Sequence, residues 1–260
     1  MTVSSQRAAA KAAEFDSAWL AEHLARERRE ASVLSEIREA VFGAQDGLTS
    51  VLTVVSTVGG ATGQTFAVLV AGLAATLAGV FSMAAGEYMS SKSQREIFEA
   101  QIASEAVEVE ERPGEAEAEV AFMLQEEGVA PDVATRIARE LATSKRALLK
   151  TMVEKELGLT VEGDDNALRG ALVMGASFGL AALVPILPYV FLPVQAALYV
   201  SVGLAALVLF GMGALKSRWT RRNWFTSGLE IFALGAVAGI AGYFFGTLLP
   251  AALGVAGIPD

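Results

Sequence analysis

Five stretches of the chain are apolar almost without interruption, at about residues 41–61, 66–89, 170–190, 194–215 and 225–249. Each approaches the roughly 20 residues that a helix needs to cross the hydrocarbon core of a bilayer. The pattern predicts five membrane-spanning helices, with Gly59, Gly60 and Gly63 turning the chain between the first two and Pro188 and Pro193 between the third and fourth. A basic loop at 216–223 separates the fourth from the fifth. Residues 90–166 are different in kind: rich in Glu, Ala, Lys and Arg, and broken by Arg112-Pro113-Gly114 and between Gly128 and Pro131. They predict three water-facing helices at about 90–111, 115–127 and 131–158. Upstream, the apolar positions Phe15, Trp19, Leu20, Leu24, Val33, Leu34 and Ile37 recur at helical spacing in a charged, Ala-rich stretch. An amphipathic helix on or near the cytoplasmic surface is expected there, with Trp19, Arg26, Arg28 and Arg29 at the headgroup boundary. Packing against another soluble helix accounts for the same pattern.

Composition supports this division. The chain has 260 residues, 53% of them hydrophobic, with a mean hydropathy of +0.46, which is too apolar for a soluble domain. A net charge of −9 without a basic, aromatic-studded stripe excludes a nucleic-acid partner. The absence of cysteine removes disulfides, thiolate catalysis and Cys-based zinc or iron–sulfur sites, leaving oxygen, Met sulfur or the lone His23 to hold any metal. His23, between Glu22 and Glu27, reads as a solvated surface residue, because a metal site demands several converging ligands. The N-terminus has no compact apolar core with a cleavage site, so the first span is expected to direct insertion. All 20 Lys and Arg fall in residues 1–38, 92–169 and 216–222, which the positive-inside rule makes cytoplasmic. The expected divisions are a cytoplasmic N-terminal helix (1–40), spans 1 and 2 (41–89), an acidic cytoplasmic domain (90–166) and spans 3 to 5 (167–260). The C-terminus is then outside or lumenal, and the plasma or bacterial inner membrane is expected rather than a vacuolar one.

Candidate chemistry begins with Asp46, one to two turns into span 1. Thr49, Ser50, Thr53 and Thr57 follow it on one helical face, either lining a wet path or back-bonding and packing against a neighbouring helix. On span 2, Thr76, Gly79, Met83 and Glu87 share a face. Carboxylate oxygen with a thioether suits borderline divalent ions such as Fe²⁺ better than Mg²⁺ or Ca²⁺; apolar filling is the plainer role for a methionine. In the acidic domain Glu105 and Glu108, Glu115 and Glu119, and Met152 and Glu156 each place two donors on one helical face. Seven acids between Glu105 and Glu119, with Arg112 the one base among them, repel unless a cation or partner neutralises them, although a solvated charged face is the simpler reading. Glu230, near the cytoplasmic start of span 5, reads as a proton carrier or as the partner of Arg221 or Arg222.

The runs DGLT at 46–49, GVFSMAAGEYMSSKSQRE at 79–96, KELGL at 155–159 and VPILPY at 184–189 resemble the vacuolar iron transporter family over about residues 38–250. The resemblance implies an all-α polytopic membrane protein, with five transmembrane helices and a three-helix cytoplasmic domain inserted between helices 2 and 3. It also implies a homodimer that exports cytosolic Fe²⁺, often Mn²⁺ as well, in exchange for protons, along a path between protomers lined by spans 1 and 2. Carried over residue by residue, Asp46 and Met83 match the transport aspartate and methionine, and Glu105, Glu108, Glu119, Met152 and Glu156 match metal ligands of the soluble domain. Three positions depart from the plant-type pattern: Ala75 and Ala116 stand where glutamates are expected, and Val153 where a second methionine is. Glu87 is the acid available to replace the one missing at Ala75, and Glu115 and Glu117 flank Ala116. The expected transport path is Asp46, Thr49, Ser50, Thr53, Met83 and Glu87, and the expected metal ligands are Asp46, Met83, Glu105, Glu108, Glu115, Glu119, Met152 and Glu156. No permanently bound cofactor and no enzymatic activity are expected, since no nucleophile–base constellation is visible. The rival expectation is a membrane protein that senses or buffers metal, or docks a partner, without transporting.

Overall fold

The computed structural model describes residues 16–158 and 167–252. Among them the helices are α1 (Ser17–Thr62), α2 (Thr65–Glu111), α3 (Pro113–Glu126), α4 (Pro131–Ala142), α5 (Lys145–Glu156), α6 (Ala167–Ile186), α7 (Pro188–Phe191), α8 (Val194–Thr220) and α9 (Trp224–Ala252). They form two compact units: one takes the chain up to Gly86 and again from Arg169, the other takes Glu87–Leu168.

Among the described residues, five helical stretches are long and apolar enough to cross a membrane: Ser17–Thr62, Thr65–Glu111, Ala167–Phe191, Val194–Thr220 and Trp224–Gly242. Small residues let them approach closely, as packing in lipid favours. A Cβ at Gly47 would collide with the carbonyl oxygen of Phe178, and one at Gly43 with the carbonyl of Met174, so α1 and α6 meet backbone to backbone. The ring of Phe178 in turn fills the space beside Gly79 on α2. On the other side of α1, Gly242 of α9 abuts Thr53, and Gly239 abuts Leu52. The core shared by α1, α2, α6, α7 and α8 comprises Val51, Val55, Val68, Phe178, Ala182, Ile186, Tyr189 and Ala197. Between α1 and α2 the turn needs only Gly63, left-handed at φ +65° and donating its N–H to the Gly59 carbonyl at 3.1 Å; Gly59 and Gly60 remain helical.

Two expectations are corrected. The expected boundary at residue 40 is not a break in the helix: α1 is a single helix of 46 residues, about 69 Å long at the usual rise, that runs from the N-terminal stretch into span 1. Its start is capped by Asp16, which accepts the Ala18 N–H at 3.2 Å. Phe15, the first residue of the expected stripe, lies outside the described residues. The third polar helix expected over 131–158 is two helices. Ser144 ends the first as a break and starts the second as an N-cap, accepting the Ala147 N–H at 3.3 Å, while Thr143 turns its hydroxyl back onto the Glu140 carbonyl at 2.6 Å. Hydroxyl side chains that compete for backbone groups favour such boundaries over helix interiors.

The second unit is organised around Val109, Ala116, Val120, Ala121, Leu124, Ala134, Ala138, Leu148 and Met152. Pro113 and Pro131 each stand at the first turn of their helix, where a missing N–H costs nothing. Gly128, at φ +92°, makes the turn between α3 and α4.

Candidate metal centre and membrane path

Asp46 is half-buried on α1, and its Oδ1 accepts a hydrogen bond from Ser50 Oγ at 2.9 Å, one turn further along. Ser50 is exposed, so this pair opens to the surface of its unit. The threonines do otherwise. Thr49 donates to the Gln45 carbonyl at 3.0 Å, Thr53 to the Thr49 carbonyl at 2.8 Å, and Thr57 crosses to the Gly242 carbonyl of α9 at 2.8 Å. Thr49 also lies beside Gly235, and Thr53 beside Gly242. The hydroxyls therefore differ in their contacts: Ser50 pairs with Asp46, Thr49 and Thr53 bond back to α1 beside glycines of α9, and Thr57 bonds across to α9.

On α2, Met83 is half-buried against the core that holds Val51, Val55 and Phe178, with Ala75 against the same core. Thr76 donates to the Gly72 carbonyl at 2.8 Å, and Glu87 accepts from Ser91 at 2.8 Å. Glu230 is exposed on α9. His23 stacks on Trp19 with ring centroids 4.9 Å apart and pairs with Arg26 and Glu27, the partners of a surface histidine.

In the second unit, carboxylate oxygens of Glu108, Glu115 and Glu119 come within 4.8 Å of one another. Two carboxylates bound to one divalent ion at 2.0–2.6 Å are separated by no more than about twice that length, so this spacing suits a shared cation. The cluster extends further. Burial raises the Glu105 carboxyl above its ordinary range, and the charges of Glu156 and Glu108 raise it again. Burial also raises Glu119, followed by Glu108, Glu156 and Glu115, with a hydrogen bond to Glu108 acting in the same direction. Glu105, Glu108, Glu115, Glu119 and Glu156 thus form one electrostatic group.

The neighbouring acids are directed elsewhere: Glu117 toward Arg139 at 3.7 Å, Glu110 to Lys145 at 2.5 Å and Glu127 to Lys155 at 2.6 Å. Arg112 is the base seated on the cluster, 3.1 Å from Glu108 and 2.7 Å from Glu115. Its place was marked in the sequence by its spacing, four residues after Glu108 and three before Glu115. Met152 is fully buried in the hydrophobic core beside Ala116 and Val120, one turn before Glu156. Ala116 and Val153 are equally buried, which accounts for two of the departures noted above: position 116 faces the core, and Glu115 occupies the outward face with Glu119.

The sequence model of the VIT family matches residues 37–247. The chain belongs to this family. Vacuolar iron transporter 1 of Oryza sativa subsp. japonica is 31% identical over 208 residues, covering 80% of this chain and 82% of its own length. The vacuolar iron transporter of Centaurea cyanus is 32% identical over 210 residues, covering 80% and 85%. That of Plasmodium falciparum is 26% identical over 223 residues, covering 82% of both. These VIT-family relatives carry the names of transporters, not of enzymes. The matched region contains the Asp46–Ser50 pair, Met83 and the glutamate cluster.

Proposed function

We propose that this VIT-family chain carries Fe²⁺, and Mn²⁺ as a related ion, out of the cytosol in exchange for protons, with the acidic unit capturing metal before transport. The observation that carries the reading is Asp46, an acid within an apolar span, held by the Ser50 hydroxyl at 2.9 Å. An ionisable group at such depth is costly and marks an ion or proton pathway. The names of the relatives support iron as cargo. The donor set agrees, because Asp46 oxygen and Met83 sulfur together favour a borderline divalent ion. Glu108, Glu115 and Glu119 are the capture ligands, joined by Glu105 and Glu156. Met152 is the thioether one turn away, and it binds only if the core around it opens.

The positive-inside rule supports a cytoplasmic acidic unit and an outward or lumenal C-terminus. A homodimer is supported by α2, whose apolar window is 11% buried within the chain, against 39% for α1 and α6. Its uncovered face includes Ala74, Ala78, Ser82 and Gly86, small enough for a second copy to approach closely. The plasma or bacterial inner membrane is the proposed site of action, whereas these relatives carry the name of vacuolar iron transporters.

Purified protein in liposomes with an imposed pH gradient tests the reading. Metal uptake accompanied by proton movement is the expected outcome. Uptake without proton movement removes the exchange, and metal binding without any flux favours a buffer or sensor.

A further inference from the structure

We propose that Arg112 is a built-in counter-cation of the glutamate cluster, which an incoming divalent ion must displace and which lowers the cluster's affinity enough for captured metal to be handed on. This rests on the capture role just proposed for Glu108, Glu115 and Glu119.

Arg112 occupies the corner between α2 and α3, and both helices pin its backbone. Its N–H donates to the Glu108 carbonyl at 2.7 Å, and its own carbonyl accepts the N–H groups of Glu115 and Ala116 at 3.0 and 3.2 Å. The following Pro113 disfavours the helical conformation, and Arg112 sits at φ −133° and ψ 54°. The side chain is therefore launched from a fixed point while its end stays free to move, with 56% of its surface exposed. From that point Nη2 reaches Glu108 in the last turn of α2, and Nη1 reaches Glu115 in the first turn of α3. These are two of the three carboxylates whose oxygens lie within 4.8 Å of one another. A guanidinium holding both occupies the charge, and part of the coordination, that a metal requires.

Two opposite effects follow from this placement. The guanidinium draws Glu108 and Glu115 together, which would assist a metal by preorganising the ligands. It also competes for the same oxygens. Competition wins because the ligand backbones are held without it, Glu108 by α2 and Glu115 and Glu119 by α3, whose neighbours Val109, Ala116 and Val120 are buried in the core. A side chain that adds little order but a full positive charge is a net competitor. Its exposure keeps the effect modest, so displacement remains within reach of a divalent ion.

Calorimetry on the full-length protein in detergent, titrated with Mn²⁺ and with Co²⁺, tests the inference. Wild type is expected to bind, R112Q to bind more tightly by on the order of fivefold, and R112K, which keeps the charge but loses the fork that spans both carboxylates, to fall between them. Thermal melting without metal checks that each variant is folded. If R112Q does not fold, R112K alone decides, since tighter binding than wild type supports the inference. If the folded variants bind equally to wild type, or more weakly, Arg112 is no competitor and serves to staple the corner. If wild type itself gives no heat, the capture reading fails first.

Discussion

At the scale of single residues, the contrast between Asp46 and its hydroxyl neighbours is informative. Asp46→Asn keeps shape and hydrogen bonding with Ser50 but removes the charge, so metal uptake into liposomes should fall to background while the protein stays inserted and folded. Met83→Ala should do the same at equal metal concentration, and retained flux in both variants would overturn the inner site. Ser50→Ala, which removes a positioning hydroxyl, should reduce flux less than Asp46→Asn. Thr49 and Thr53, by contrast, should be protected from water-soluble thiol reagents when replaced by Cys, while Cys at Ser50 should react, because the threonines face α9. The cluster makes a second prediction, of opposite sign to the familiar behaviour of salt-bridged acids. Glu105 and Glu119 are raised above 4.5 in the folded protein, so each favours folding while protonated, and that contribution is lost as pH rises above 4.5 and through their elevated values. The metal-free protein should therefore lose thermal stability over this window, and the double variant Glu105→Gln, Glu119→Gln should show a flatter dependence. Divalent ion should restore the wild type at higher pH, by binding the folded form once the ligands have ionised.

At the scale of elements, the apolar runs were legible because their length and composition are set by the solvent they cross. The positions of Pro113, Pro131 and Gly128 announced the breaks between the polar helices. The break at Thr143 and Ser144 was not legible, since neither Pro nor Gly marks it and the decision lies in two local hydroxyl contacts. The extent of α1 was hidden for a related reason: amphipathic periodicity is the same whether a helix ends before the next span or runs on into it. The division of the hydroxyl stripe required the position of α9, which spacing along α1 does not contain. The helix contacts are testable in the same terms. Gly47→Leu places a branched side chain against the Phe178 carbonyl, and overpacking of this kind costs about 1–3 kcal/mol or more. A lowered melting temperature in detergent is the expected result, whereas Gly63→Ala should show only the smaller strain of a left-handed residue, because nothing stands within 4 Å of its added carbon.

At the scale of the whole molecule, the proposed function assigns capture and transfer to separate units, and α2 carries Met83 and both Glu105 and Glu108 in one helix of 47 residues. On that proposal, neutralising Glu105, Glu108 and Glu119 together should slow transport at low metal and have less effect at saturating metal, because a cluster that only raises local concentration matters least when metal is abundant. Inserting two glycines between Ser93 and Gln94 should reduce low-metal transport while leaving metal binding by the acidic unit intact. Normal transport by the triple variant at every metal concentration would remove the cluster from the path and leave it a buffering or docking role.

Phe178 joins residues that are distant in sequence: its carbonyl is against Gly47, next to Asp46, and its ring is against Gly79, one turn from Met83. The thickness of one phenyl ring thus sets the gauge between the two helices that carry the inner ligands. A bulkier residue at 79 demands a slimmer one at 178, and no side chain at 47 can be accommodated by trimming 178, since it is the backbone that stands there. In descendants of this chain, positions 79 and 178 are consequently free to drift only as a matched pair, while 47 is held alone. A library randomised at 79 and 178 and selected for metal tolerance should return compensated pairs of nearly constant combined volume.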